Sequence, residues 1–417
     1  MVSRSSLAKA AAPEVVWIVN HFGQEPGSSN PTRHYLLARH LLPLGWHSLI
    51  IAASVELNTG RRRLHGLRMS RIENCDGVDF LWLRVPHFGF RGRTLFRLFN
   101  MICFAGHVLV SGRLSRCGRP RVVVGSTVHP FAAWAALRLA RHYRVPFVLE
   151  IRDLWPETLI ALGTLRRGHW FARLLLRLER RLVTAADRVV TTMPRAWEYL
   201  AREHGVLAEK VEWISNGIDV GTGAAVGAPT PSPVLRLSYL GAHGTANALD
   251  TLVDALTLLG PDFAIDVRLY GEGAEKARLE AVCADRGILQ TSFEAPVAKD
   301  RLADVARVTD AFVMCSRNLP ELYKYGVSMN KLFDYMYLGR PIVAALAAAD
   351  DPVTAGDAGI VVPPESPKRL AEAIRQMAAM PVEARIEMGE RARRYVIENF
   401  GYEHLGAKFA SVLESVR

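Results

Sequence analysis

Short, mostly apolar runs alternate along the chain with segments whose apolar residues recur every three or four positions. Val15 to Val19, Arg121 to Gly125, Pro146 to Ile151, Asp187 to Thr192 and Val211 to Ile214 are runs of the first kind. Arg236 to Leu240, Asp266 to Tyr270, Ala311 to Ser316 and Pro341 to Ala345 repeat the pattern later. Such runs predict strands buried on both faces, and the segments between them predict helices covering a parallel sheet. Helices are predicted over 32–44, 94–114, 131–142 and 169–186, and again over 367–379, 383–398 and 402–416. Residues 54–75 are basic and polar and read as a flexible loop. Val220 to Pro233 is rich in Gly, Ala, Pro and Thr and reads as a linker. The division is therefore a flexible tail at 1–14, an α/β domain at 15–219, a linker at 220–233 and a second α/β domain at 234–400. Each domain opens with strand, glycine-containing loop and helix, the entrance of a Rossmann-like fold.

One later unit is sharply marked. Tyr325 to Val343 reads Y-G-V-S-M-N-K-L-F-D-Y-M-Y-L-G-R-P-I-V. Ser328 or Asn330 can cap a helix whose buried face carries Leu332, Phe333, Met336 and Tyr337. Gly339 stops it, Pro341 prevents its resumption, and a buried strand follows. A helix N-terminus beside Lys331 suits a phosphate, and Asp334 suits a pair of sugar hydroxyls. A capping residue and a Lys–Asp surface pair three residues apart fit the same letters.

Other polar residues stand just past strand ends, where α/β sites gather. Gly27, Ser28, Ser29 and Arg33 follow the first strand and either present N–H groups to an anion at the helix start or form an ordinary βα turn. His129 follows the 121–125 strand, either as a cap or as a hydrogen-bond donor. Asp153 and Trp155 follow the 146–151 strand. Asp153 either pairs with Arg152 or faces a cleft, and Trp155 is either core or a stacking surface. In the second domain Gly241 and Gly244 permit a tight turn with N–H groups for a diphosphate. Arg317 either reaches a phosphate or pairs with Glu321.

Composition narrows the partners. The 417 residues carry a formal charge of +11, with 31 Lys and Arg against 16 Asp and Glu in 1–220, and 21 against 25 thereafter. The basic first half favours an anionic partner such as a phospholipid surface or a pyrophosphate-linked substrate. No nucleic-acid-reading motif stands out, so nucleic acid is not expected. Cys75, Cys103, Cys117, Cys283 and Cys315 are scattered, without Cys-x-x-Cys spacing, which speaks for reduced thiols in the cytoplasm and against structural zinc. The segment 94–114 is too interrupted by charge to span a bilayer. It reads as an amphipathic helix, packed on the sheet or in shallow membrane contact.

Three stretches together carry a resemblance: R-D-L-W-P-E at 152–157, S-N-G-I-D at 215–219, and S-M-N-K-L-F-D-Y-M-Y-L-G-R-P-I-V at 328–343. They resemble glycosyltransferase family 4, retaining enzymes of GT-B fold. The S-x-N-K-L-F-D-Y-M form is similar to a branch with N-acetylfucosaminyltransferases of bacterial exopolysaccharide and O-antigen synthesis. The resemblance implies two Rossmann-like domains facing across a cleft, with the last helix, 402–417, packing back onto the first. It implies a UDP-sugar donor, of N-acetylamino type, held without cofactor or metal. The acceptor would be a polyprenyl-diphosphate-linked saccharide at the anionic inner face of the cytoplasmic membrane. By the same resemblance Gly271, Glu272 and Gly273 form a donor-side turn, and Pro296 and Val297 bracket the base. His129 and Asp153 approach the sugar, and Asp334 holds the ribose. The family pattern places a second Glu where Asp334 stands and a first Glu where Gly326 stands. Its usual diphosphate Arg and Lys have no counterpart between Tyr239 and Leu259, which leaves His243, backbone N–H groups and Lys331. A nucleotide-sugar epimerase and a non-catalytic assembly partner are the rival readings.

Overall fold

The computed structural model describes residues 13–27, 32–56, 60–86, 94–222 and 226–416. The first sheet contains β1 (Glu14–Val19), β2 (Trp46–Ala53), β3 (Ser70–Cys75), β4 (Val78–Leu83), β5 (Val122–Ser126), β6 (Phe147–Ile151), β7 (Arg188–Thr191) and β8 (Val211–Trp213). Their order is β3-β4-β2-β1-β5-β6-β7-β8, and every pairing is parallel except β3 with β4. The second sheet contains β9 (Leu235–Leu240), β10 (Ile265–Tyr270), β11 (Thr291–Glu294), β12 (Ala311–Cys315), β13 (Ile342–Ala345) and β14 (Gly359–Val362). It is wholly parallel in the order β11-β10-β9-β12-β13-β14. In both sheets the chain runs outward and then returns to the other side of its first strand. The switch points are β1/β5 and β9/β12, where ligands of such sheets bind.

The strands follow the apolar runs, since Val16 to Val19 and Val122 to Val124 are fully buried. The 54–75 loop is a correction. Its last third is β3, joined to β4 by Asp76 and Gly77 with φ of 50° and 86°. Asp-Gly is a strong signal for a two-residue hairpin turn, but the polar, half-exposed alternation of an edge strand hid it. The helix predicted over 32–44 is α-helical only from Arg33 to Leu41 and tightens into a 3₁₀ turn at Leu42–Leu44. Pro43 supplies no N–H to continue the α pattern.

The last helix, Tyr402–Ser415, crosses back to the first domain as expected. Tyr402, Leu405, Phe409 and Leu413 join the same core cluster as Leu37, Ile50 and Val124. Each such burial stabilises the contact by roughly 1.5–3 kcal/mol. At the crossing, Ile218 N–H donates to Phe400 O at 2.9 Å and Tyr402 N–H to Ile218 O at 3.0 Å. A Cβ on Gly217 would stand 2.1 Å from the Phe400 carbonyl oxygen, so only glycine lets the two segments touch. Gly217→Ala is expected to cost about 2 kcal/mol or more. Urea unfolding should show a lowered midpoint.

Candidate active site

The Asn330–Tyr337 helix is anchored from below. The Tyr335 hydroxyl donates to Leu240 O at 2.9 Å and accepts from Leu240 N–H at 2.7 Å, tying the helix to the end of β9. Its ring stacks on Phe312 of β12 at 4.3 Å. The helix N-terminus is thereby fixed at the β9/β12 switch point. Its N-cap is Met329, with no side-chain cap.

Lys331 turns inward from the first turn. Its ammonium lies 4.8 Å from the centre of the Tyr239 ring, donates to the Tyr239 hydroxyl at 3.0 Å and also donates to Asn247 Oδ1. Asn247 Nδ2 and the Tyr239 hydroxyl both donate to Ala242 O at 2.8 Å, which holds the pair in place. The residue as a whole is only half-buried, but its charged end is the enclosed part. That burial pulls the ammonium down to about pKa 8, and no described carboxylate pairs with it. A cation held out of water without a counter-ion favours an anionic ligand.

Asp334 does not pair with Lys331. It lies one turn further on and faces the exposed Lys299 at 3.7 Å. Burial raises its carboxyl pKa, partly offset by Lys299. Lys299 had no marker in the sequence. It reaches the site because the chain leaving β11 through Pro296 and Val297 carries it there; Pro296 is exposed and Val297 half-buried against the core.

The two glycine loops meet by backbone. A Cβ on Gly271 would lie 1.9 Å from Gly241 O, and one on Gly273 would lie 2.2 Å from His243 O. The contact uses two of the loop's N–H groups. Gly241 N–H donates to Tyr270 O at 3.0 Å and His243 N–H to Glu272 O at 2.9 Å. His243 is corrected too. Its ring is buried against Tyr239 and Phe293, and burial lowers its pKa, so it is a neutral packing group rather than a phosphate ligand. Gly244 remains in the loop just before Asn247, and the Glu272 side chain is exposed beside Lys276.

Four further expectations are corrected. Arg317 reaches neither an open phosphate position nor Glu321. It is clamped by Asp250 at 3.0 Å and Glu365 at 2.9 Å and donates to Thr245 O, so it fastens the loop that carries Asn247. Leu332, counted by the resemblance with Asn330 and Lys331 among the donor contacts as well as on the helix's buried face, is fully buried core and keeps only the second role. Ser328 is a bridge between domains: its hydroxyl meets Ser215 Oγ and accepts from Asn216 N–H, each at 2.9 Å. Arg33 is 1% exposed and bound to Glu150 at 2.8 Å and to the carbonyls of Ile214 and Ser215. It is a strut joining the first helix, β6 and the end of β8. Gly27 is an exposed turn with φ of 78°, and Ser28 and Ser29 lie outside the described residues.

His129 takes the capping role. Its Nδ1 accepts from Ala132 N–H at 3.2 Å, so Nε2 carries the proton and donates to His21 Nδ1 at 2.7 Å. Both rings are buried, which lowers both pKa values, His21 to about 3. His129 therefore acts on the site through the Pro130–Tyr143 helix that it starts.

Asp153 does face the cleft. A cavity of about 300 Å³ between the domains is lined by Asp153, Arg152 and Asn216 on one side and Ala246, Met329 and Asn330 on the other. Asp153 is open to this space, yet protein on both sides crowds its carboxyl and raises its pKa, partly offset by Arg152. Trp155 is half-buried next to it. Gly326 also lines the cavity, at the position of the absent first Glu. Its φ is 90°, and a Cβ would lie 2.4 Å from Pro194 of the first domain. No side chain fits there, because the position is a contact between the domains.

The arrangement joins a cation at a helix start to a carboxylate across an interdomain cleft. Models of known families match in the same two pieces: a "Glycosyl transferase 4-like domain" over residues 32–217 and "Glycosyl transferases group 1" over 235–380. A protein of Escherichia coli named as a colanic acid biosynthesis glycosyl transferase, WcaI, is 25% identical over 75% of this chain and 79% of its own. Sucrose-phosphate synthase from Thermosynechococcus elongatus superposes with a TM-score of 0.71 at 16% identity, covering 96% of this chain and 98% of that one. HepE of Anabaena in complex with UDP and glucose gives 0.66 at 16% identity, covering 97% and 100%. Matches in both domains, in order and on either side of the observed cleft, show that the chain belongs to the family 4 glycosyltransferases and has the GT-B fold.

Proposed function

We propose that the enzyme transfers a sugar, with retention, from a UDP-sugar to a lipid-linked saccharide during cell-surface polysaccharide synthesis. The observation that carries the donor reading is the ammonium of Lys331, enclosed at the helix start with no carboxylate partner. A diphosphate supplies the missing negative charge, and the helix N-terminus adds to the attraction. HepE's complex with UDP and glucose and the colanic acid role in the name of the Escherichia coli relative support the class of donor and product. An N-acetylamino sugar as the transferred group follows from the S-x-N-K-L-F-D-Y-M resemblance.

In this mechanism the bond between the sugar's anomeric carbon and the diphosphate oxygen breaks. The acceptor hydroxyl forms its bond to that carbon on the same face. Its proton passes to the departing phosphate oxygen. Lys331 stabilises the charge developing on that phosphate. Asp334, with Lys299 beside it, holds the ribose hydroxyls. Asp153 orients hydroxyls of the sugar or acceptor from the opposite wall. Donor binding without metal is part of the proposal, since Lys331 supplies positive charge where the diphosphate would lie. No described helix is long and apolar enough to cross a membrane. Association with the inner face of the cytoplasmic membrane would therefore use the basic first domain.

Asp153→Asn is expected to lower kcat/KM by roughly 10- to 100-fold, the value of a hydrogen bond to a charged group. UDP binding should be unchanged. Steady-state kinetics beside UDP calorimetry reads both, and a loss of UDP affinity would remove Asp153 from this role. A product of inverted anomeric configuration, seen by NMR, would overturn the retaining assignment.

A further inference from the structure

A second cavity lies not in the cleft but within the first domain. Its volume is about 1030 Å³. The chain leaving β2 at Ser54 and the chain leaving β4 at Arg84 form one side, and the Thr94–Val110 helix forms the other through Gly106 and Val110. It thus opens at the carboxyl edge of the sheet, the edge that also carries Asp153.

Its chemistry is one-sided. Arg62, Arg84, Arg113 and Arg116 line it, and no carboxylate does among the described residues. Arg84 is committed to the carbonyls of Gly66 and Arg68, whereas Arg62, Arg113 and Arg116 are exposed and have no ion-pair partner among the described residues. Guanidinium groups are the side chains best shaped to clasp phosphate oxygens. The rim is apolar: Val110 is 79% exposed and Met69 58%, and Ile102 and Leu109 continue the exposed surface along the helix. An arginine-lined chamber with an apolar lip recognises a phosphorylated head attached to a hydrocarbon chain.

We propose that this cavity binds the lipid diphosphate end of the acceptor. This rests on the reading that the acceptor is carried on a lipid. The diphosphate sits on Arg62, Arg113 and Arg116, and the chain leaves across Met69 and Val110. From β2 the order runs through β1 and β5 to β6, three steps of about 4.8 Å each, or roughly 14 Å. That separation leaves room for a short saccharide between the lipid head and Asp153.

Calorimetry on the full chain with monomeric farnesyl diphosphate tests the site, with inorganic pyrophosphate, farnesol and phosphatidylglycerol vesicles as comparisons. Farnesyl diphosphate is expected to bind at least tenfold more tightly than pyrophosphate or farnesol. The exposed pair Arg113→Glu/Arg116→Glu should weaken it at least tenfold, while thermal stabilisation by UDP is unchanged. Equal binding of pyrophosphate and farnesyl diphosphate, or no effect of the charge reversals, would overturn the proposal. So would binding to the vesicles alone, which would make the face a general membrane contact. UDP is measured on the same samples, so failure of the donor reading shows as loss of UDP stabilisation with farnesyl diphosphate binding intact. Failure of the lipid site shows the reverse.

Discussion

Replacing Lys331 with methionine is expected to abolish thermal stabilisation by UDP and UDP-sugars while leaving the free protein as stable as before, or more so. The ammonium is enclosed where a diphosphate would lie, with hydroxyl, amide and ring partners but no carboxylate among the described residues. Its pKa of about 8, against an ordinary 10.5, means that burial disfavours the charged form by roughly 3 kcal/mol. Methionine removes that penalty and loses two hydrogen bonds worth roughly 1 kcal/mol each, so a net gain near 1 kcal/mol is expected in the free protein. The wild-type folded state binds fewer protons than the unfolded chain between about pH 8 and 10.5. Its stability therefore rises with pH across that window, and this rise should vanish in the variant. UDP affinity moves the other way. Above about pH 8 the free site loses its positive charge, and affinity should fall by up to tenfold per pH unit. A variant that still responds to UDP would remove Lys331 from the donor site. The corresponding kcat/KM loss is expected to be 10²- to 10³-fold, the usual effect of removing one group that meets developing charge.

The second large effect concerns a residue that looks like a defect. Gly326 occupies the place of a carboxylate in the family pattern, so Gly326→Glu is the obvious repair. It is expected to fail. The backbone there is left-handed, which disfavours an L side chain by roughly 1–2 kcal/mol. The added Cβ would also stand 2.4 Å from Pro194 Cδ and 2.5 Å from its Cγ. Around this point the domains are held by Arg195 N–H on Tyr325 O at 3.0 Å, by Arg195 with Asp350, and by Ser328 with Ser215 and Asn216. Overpacking there costs a further 1–3 kcal/mol, and the cavity beside Asp153 would open. Differential scanning calorimetry should show a fall in Tm, with activity lost in parallel. Pro194→Ala in the same chain should recover part of both. A Gly326→Glu enzyme with normal stability and higher activity would show that the position is open to the donor after all.

The residues whose roles the sequence left open or misplaced share one feature. Arg33, Ser328, Arg317 and His129 are polar groups beside strand or helix ends, where ligands also bind. Each proved to join distant segments: Arg33 to Glu150, Ser328 to Ser215, Arg317 to Glu365 and His129 to His21. The separations along the chain are long, so no local pattern names the partner. Tyr239, Asn247 and Lys299 were missed for the same reason. A Tyr inside an apolar run and an Asn in a loop become site residues only when Lys331 is laid over them.

The sequence by itself determined the two α/β domains, most of their strands and the returning last helix. It also marked Lys331, Asp153 and Asp334 as groups at strand or helix ends. These follow from periodicity and turn chemistry, which act between near neighbours. Tertiary structure decided which of the marked groups face the cleft and which are buried struts. It alone closed Gly326 against Pro194 and set the four arginines around one cavity. The physical reason is that burial and pairing depend on sheet order and domain closure. Those bring together residues dozens to more than a hundred positions apart, and no spacing along the chain encodes that contact.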